Sequence, residues 1–144
     1  MARLSSFARN AAAIAEGTPV TVGVTDQFTI VTKGMTADYA DRLWALRRAA
    51  AIKYNTGLSA TDVPVNENNL PPSMDDACQA QALSEKCLID VQGLENDDGT
   101  PIDIATFKEM ITHRENRALL ALALQAAASV GRATKEQLQA AEGN

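Results

Sequence analysis

The chain is short of aromatic residues, histidine and cysteine, and each shortage narrows what it can do. Only 4% of its 144 residues are Phe, Trp or Tyr. With alanine plentiful, the expected core is helical and built from small and aliphatic side chains. The single histidine, His113, must serve any Ser-His-Asp or Cys-His pair. It stands in "ITHREN" beside Arg114 and Glu115, which suits an exposed helix end where the dipole favours a cation. Cys78 and Cys87 with one histidine cannot complete a four-ligand zinc site without carboxylates. They read as reduced, buried thiols of an intracellular protein.

Other absences are equally informative. There is no phosphate-cradling glycine motif, no HExxH and no GxSxG. No catalytic residues, no metal and no cofactor are therefore expected. The longest apolar run, "ALLALALQAAASVG", is too short to span a bilayer and contains Gln125. The N-terminal "MARLSSFARNAAAIAEG" is interrupted by Arg9 and Asn10 and does not read as a signal peptide. A soluble cytoplasmic protein without a membrane partner is expected. A net charge of -5 and a pI near 4.8 also argue against nucleic acid, which needs a basic face for phosphate.

What is present is unevenly charged. Residues 1–58 carry a balance of +3, residues 59–103 of -9, and residues 104–144 of +1. Such asymmetry implies complementary surfaces within one subunit or between two, or a solvated acidic region.

Along the chain, Ser5 or Ser6 can cap a short helix through Ala15, stopped by Gly17. "TPVTVGV" alternates, with Val20, Val22 and Val24 on one face, and "FTIVTK" resumes the β-branched pattern after "DQ". This predicts a hairpin. Thr36 can cap "ADYADRLWALRRAAAIKYN", and Gly57 stops it. Tyr39, Leu43, Leu46 and Ala50 form its apolar stripe, with Trp44 and Ile52 beside it. Arg47 and Arg48 take other faces and are candidates to meet an acidic partner surface.

The Pro- and Asn-rich stretch 57–73 reads as a long loop. Ser73 with Asp76 resembles a capping box that opens a helix through about Cys87. "CLIDVQGL" is either an extended segment or a final helical turn. Asp103 can cap "IATFKEMITH"; a further helix runs from about Asn116 to Val130, ended by Gly131. Thr134 with Gln137 can start a last, fraying helix.

The expected fold class is α+β, mainly helical: an N-terminal β-hairpin followed by a helical domain of about four to five helices. A single domain, 1–144, divides into a helix or arm 1–17, a hairpin 18–33 and a long helix 36–56. A loop 57–72, a helical part 73–131 and a frayed tail 132–144 follow.

Two stretches invite a site. "GLENDDGTPID" has four acids around a glycine. Placed on a calcium loop with Gly99 at position 6, Asp98 and Asn96 fall at positions 5 and 3. Leu94 then stands at position 1 and Ala105 at position 12, and neither can ligate. A turn, with Asp-Gly at positive φ and Pro101 ending it, fits better. The second stretch, "RALLALALQAAASVG", leaves almost no polar side. A helix apolar all round is either central to the core or meets another chain. Leu119, Leu120 and Leu124, with Arg114 and Arg117 beside them, are therefore candidate partner-binding residues. The two arginines would attract the acidic 59–103 region of a neighbouring subunit, and self-association is expected.

The C-terminal half, "LSEKCLIDVQGLENDDGTPIDIATFKEMITHRENRALLALALQAAAS", resembles the tail assembly chaperones of long-tailed bacteriophages. Those carry a hydrophobic strand, an acidic turn with D-G-x-P, and two helices. Ile89 to Leu94, Glu95 to Pro101 and Ile104 onward match these in turn. "FTIVTKGMTADYADRLWALRR" is similar to the family's strand that runs into a helix through h-x-h-x-x-x-G-h-T. The resemblance implies a non-enzymatic protein of phage or prophage origin, acting in the host cytoplasm. It would coat the tape measure protein, help recruit tail tube subunits, and represent the shorter of the family's two forms. The alternative is a virion structural component such as a neck, head–tail connector or tail terminator subunit. A small regulator that binds a host protein is a third reading.

Overall fold

The computed structural model describes residues 2–4 and 11–130. The predicted start at Ser5 or Ser6, the stop at Gly131, the helix start at Thr134 and the tail 132–144 lie outside the described residues. Within them the expected α+β, mainly helical architecture is found.

Helix α1 (Ala11–Glu16) ends at Gly17, whose φ of 91° suits glycine, and a Cβ there would collide with Ile89 Cδ1. Strands β1 (Thr18–Val22) and β2 (Phe28–Thr32) then pair antiparallel, with Val22 opposite Phe28. Their alternation sends Val22, Phe28, Ile30 and Thr32 inward. Val24 does not join that face. The strand stops at Gly23 (φ 92°), where a Cβ would strike the Asp26 carbonyl, and Val24 lies 94% exposed in the connection.

A third strand, β3 (Leu88–Gln92), runs antiparallel to β2, so the sheet order is β1-β2-β3. Of the two readings of "CLIDVQGL", the extended one holds, and the helical part 73–131 includes this strand. The ladder carries a bulge: Thr32 faces Leu88 and Val31 faces Asp90, which leaves Ile89 as the extra residue.

Between β2 and β3 the chain makes a helical hairpin. Helix α2 (Ala37–Thr56) starts after Thr36, which is extended but makes no side-chain cap bond. It closes at Gly57, whose N–H donates to the Tyr54 carbonyl (3.1 Å). Helix α3 (Pro72–Lys86) begins with a proline in its first turn, where the missing N–H costs nothing. Ser73 therefore lies inside the helix, no side-chain cap bond is made, and the Ser73–Asp76 capping box does not form. At the base of this hairpin Lys33 N–H donates to the Cys87 carbonyl (2.8 Å). At its tip the Asn55 amide brackets Val65, donating to its carbonyl (2.7 Å) and accepting from its N–H (2.9 Å). Those bonds give loop backbone the partners a strand would supply.

Helix α4 (Ile104–Met110) is capped as predicted, with the Asp103 carboxylate accepting from Thr106 N–H (2.8 Å). A 3-10 turn over Arg114–Asn116 leads into α5 (Arg117–Ser129). Helices α3, α4 and α5 cover one face of the sheet, and α2 packs on the outside of α3. Phe107, Ile30, Leu83 and Ile111 are fully buried among Ala80, Ala82, Ala123 and Ala127. Phe107 meets Phe28 edge-on, ring centroids 6.2 Å apart. The core is thus aliphatic and small, as the composition implied.

Candidate functional site

The acidic stretch closes on itself. Asn96 N–H donates to Thr100 O (2.8 Å), Ile102 N–H to Leu94 O (2.9 Å), and Glu95 bridges Pro101. Gly99 sits at φ 86° at the tip. The Asp98 carboxylate accepts from Thr100 N–H (2.9 Å), and this bonding to Thr100 lowers its pKa from the ordinary value. Leu94 is half-buried against the core. Among the described residues no group of three or more potential ligands converges on a point that could hold a metal.

Part of the charge asymmetry is matched inside one chain, through Asp75, Asp76 and Glu85. Arg47 forks onto Asp75 (2.6 and 3.3 Å), and Arg42 forks onto Glu85 (2.6 and 3.3 Å). The Arg42 hydrogen bond holds the Glu85 carboxyl below its usual range. Asp76 accepts from both Arg114 (3.3 Å) and Arg117 (3.0 Å). Asp75 and Asp76 set the acidic start of α3 against α2 on one side and the entry to α5 on the other, while Glu85 ties the far end of α3 to α2. Within the chain, Arg114 and Arg117 share the Asp76 carboxylate, and both arginine side chains stay largely exposed. Arg48 makes a different contact, its guanidinium 5.3 Å from the Trp44 ring centroid.

The leucine-rich helix is more one-sided than its composition suggested. Leu120 is 3% exposed and belongs to the core, while Leu119 and Leu124 are half-buried against it. Ala118, Ala121 and Gln125 are exposed, so α5 is not buried all round. Small side chains supply its outer face, which is why the sequence alone makes it look uniformly apolar.

Both cysteines are free and buried. Burial pushes the Cys87 thiol up to about 11, with Sγ 3.7 Å from the Gly34 carbonyl, and it raises Cys78 as well. Neither has the electropositive, accessible setting of a reactive thiol. His113 is exposed at the entry to the 3-10 turn.

Two surface features escaped the sequence reading. A cavity of about 340 Å³ lies between β1 and α5, with Val20, Val22, Leu122 and Ala126 in its wall and Val24 and Gln125 at its mouth. It opens beside β1, which among the described residues is an edge strand paired with β2 alone. Pro19 in that strand was the available signal, because proline has no N–H for a second neighbour. The other feature is the outward side of α2, where Trp44 is 49% and Ile52 59% exposed.

No helix among the described residues is long and apolar enough to cross a membrane. No family model matches the chain, and no curated protein or solved structure matches it either.

Proposed function

We propose that this chain is a non-enzymatic phage tail assembly chaperone, which binds the tape measure protein and helps recruit tail tube subunits in the host cytoplasm. The two segments that resemble that family support the reading by their place in the fold. One supplies β2 and α2; the other supplies β3, the acidic turn, α4 and α5. The observation that carries the proposal is the apolar cavity beside β1 and α5. A tape measure protein is a long helical chain, and an apolar groove with a polar rim takes one face of an amphipathic helix. Val20, Val22, Leu122 and Ala126 supply the apolar wall, and Gln125 and Ser129 supply rim hydrogen-bonding groups.

The test is co-expression with a tape measure protein followed by co-purification. Retention is expected, and Val24→Asp with Gln125→Asp, both at exposed positions, should abolish it without loss of helical signal. No retention, or retention untouched by the two substitutions, overturns the reading. Recovery of the chain from purified virions would assign it instead to the neck, connector or terminator class.

A further inference from the structure

Helix α2 has two faces of different fates. Tyr39, Leu43, Leu46 and Ala50 turn to the core side. At 3.6 residues per turn the opposite face holds Asp41, Trp44, Ala45, Arg48, Ala49 and Ile52, spaced by three and four. Asp41, Trp44, Ala45, Arg48, Ala49 and Ile52 are all exposed. A large indole and an isoleucine flank two alanines that let another backbone approach closely. Tryptophan, with tyrosine and arginine, is enriched at the energetic centres of interfaces.

Charge chooses the occupant. Asp38 and Asp41 lie in the N-terminal half of α2, and Arg48 and Lys53 in its C-terminal half. None of the four enters an ion pair among the described residues, whereas Arg42 and Arg47 are already bound to Glu85 and Asp75. A face that is acidic at one end and basic at the other is complementary to itself when turned end over end. We infer that a second copy of this chain docks here, α2 against α2, antiparallel about a two-fold axis.

With the axis between Trp44 and Ala45, Asp41 lies opposite Arg48 of the partner subunit. Trp44 then packs beside Ala45 of the partner subunit, and Ala37 lies opposite Ile52 of the partner subunit. Two-fold symmetry makes each contact twice. A parallel pairing would instead set acid on acid and base on base, which is repulsive. The inference stands apart from the chaperone reading, since it uses α2 and not the cavity between β1 and α5.

Trp44 is the only tryptophan, so its emission reports on this face directly. Sedimentation and fluorescence of the full chain from low to high micromolar concentration should show reversible dimers and a blue shift on association. Asp41→Arg alone, or Arg48→Asp alone, sets like charges together and should weaken the dimer by roughly tenfold or more. Mixing the two variants one to one should restore it, because each supplies the charge the other lacks. Both positions are exposed, and circular dichroism checks that the variants fold. A wild-type chain that stays monomeric, single variants that associate normally, or a mixture that fails to recover each overturns the inference. The concentration-dependent Trp44 emission decides the wild-type case without any variant.

Discussion

Replacing Leu120 by alanine separates the two fates that an apolar helix can have. Leu120 is 3% exposed and packs with Ala123, Ala126 and Ala127 in the core cluster. Removing three carbons from a buried site loses about 2.4 kcal/mol of transfer free energy at ~0.8 kcal/mol per carbon. A residual cavity adds to this, since neighbouring helices relax only partly, and such substitutions reach about 2.7–5 kcal/mol. A loss of about 3 kcal/mol in a chain of this size lowers the melting temperature by roughly 6–12 °C. In urea, with a slope of about 2 kcal/mol/M, the midpoint falls by about 1.5 M. Leu124→Ala, at a half-buried position, should cost about half as much because the area removed from water is smaller. The assay is urea unfolding followed by circular dichroism at low micromolar protein, where any dimer is dissociated. A Leu120→Ala loss below about 1 kcal/mol, or a larger loss at Leu124, would refute the placement of α5 in the core.

Three further outcomes follow from the geometry. Millimolar calcium or magnesium should leave the melting temperature unchanged, because Leu94 and Ala105 present no ligands and Asp98 is engaged by Thr100; a rise of several degrees abolished by Asp98→Ala would overturn this. At pH 8 a thiol held near 11 is only about 0.1% thiolate, so native Cys87 should alkylate far more slowly than in urea, and reducing agent should not alter folding. Rapid native labelling, or a Cys78–Cys87 bridge trapped from cells, would count against it. The Asp103 carboxyl is held below its ordinary 3.8 by Thr106, so its stabilisation is complete above that pH and fades as the pH falls through the lower folded value. Acid titration of stability should therefore be flatter below about pH 4 in Asp103→Asn than in the wild type; parallel curves would contradict the cap's contribution.

The elements legible in the sequence are those fixed by neighbours in the chain. Helix α2 between Thr36 and Gly57, the hairpin, the Asp103 cap and the Asp-Gly turn all rest on contacts within a few residues. Strand β3 was ambiguous because its partner β2 is about sixty residues away and the bulge at Ile89 breaks the two-residue alternation. The arginine pairs were hidden for the same reason: each joins helices whose adjacency no spacing reveals. The outer face of α2 was misjudged differently. Counting Trp44 and Ile52 beside the core stripe assumes that large apolar side chains turn inward, and here they do not.

Because the helical hairpin is inserted between two neighbouring strands, β2 cannot receive β3 until residue 92 has been synthesised. At ~5–20 residues per second, a nascent chain carries that open β2 edge for roughly 3–12 s after β2 itself is made. During that interval the only complete sheet pairing is a two-stranded ribbon, marginal on its own.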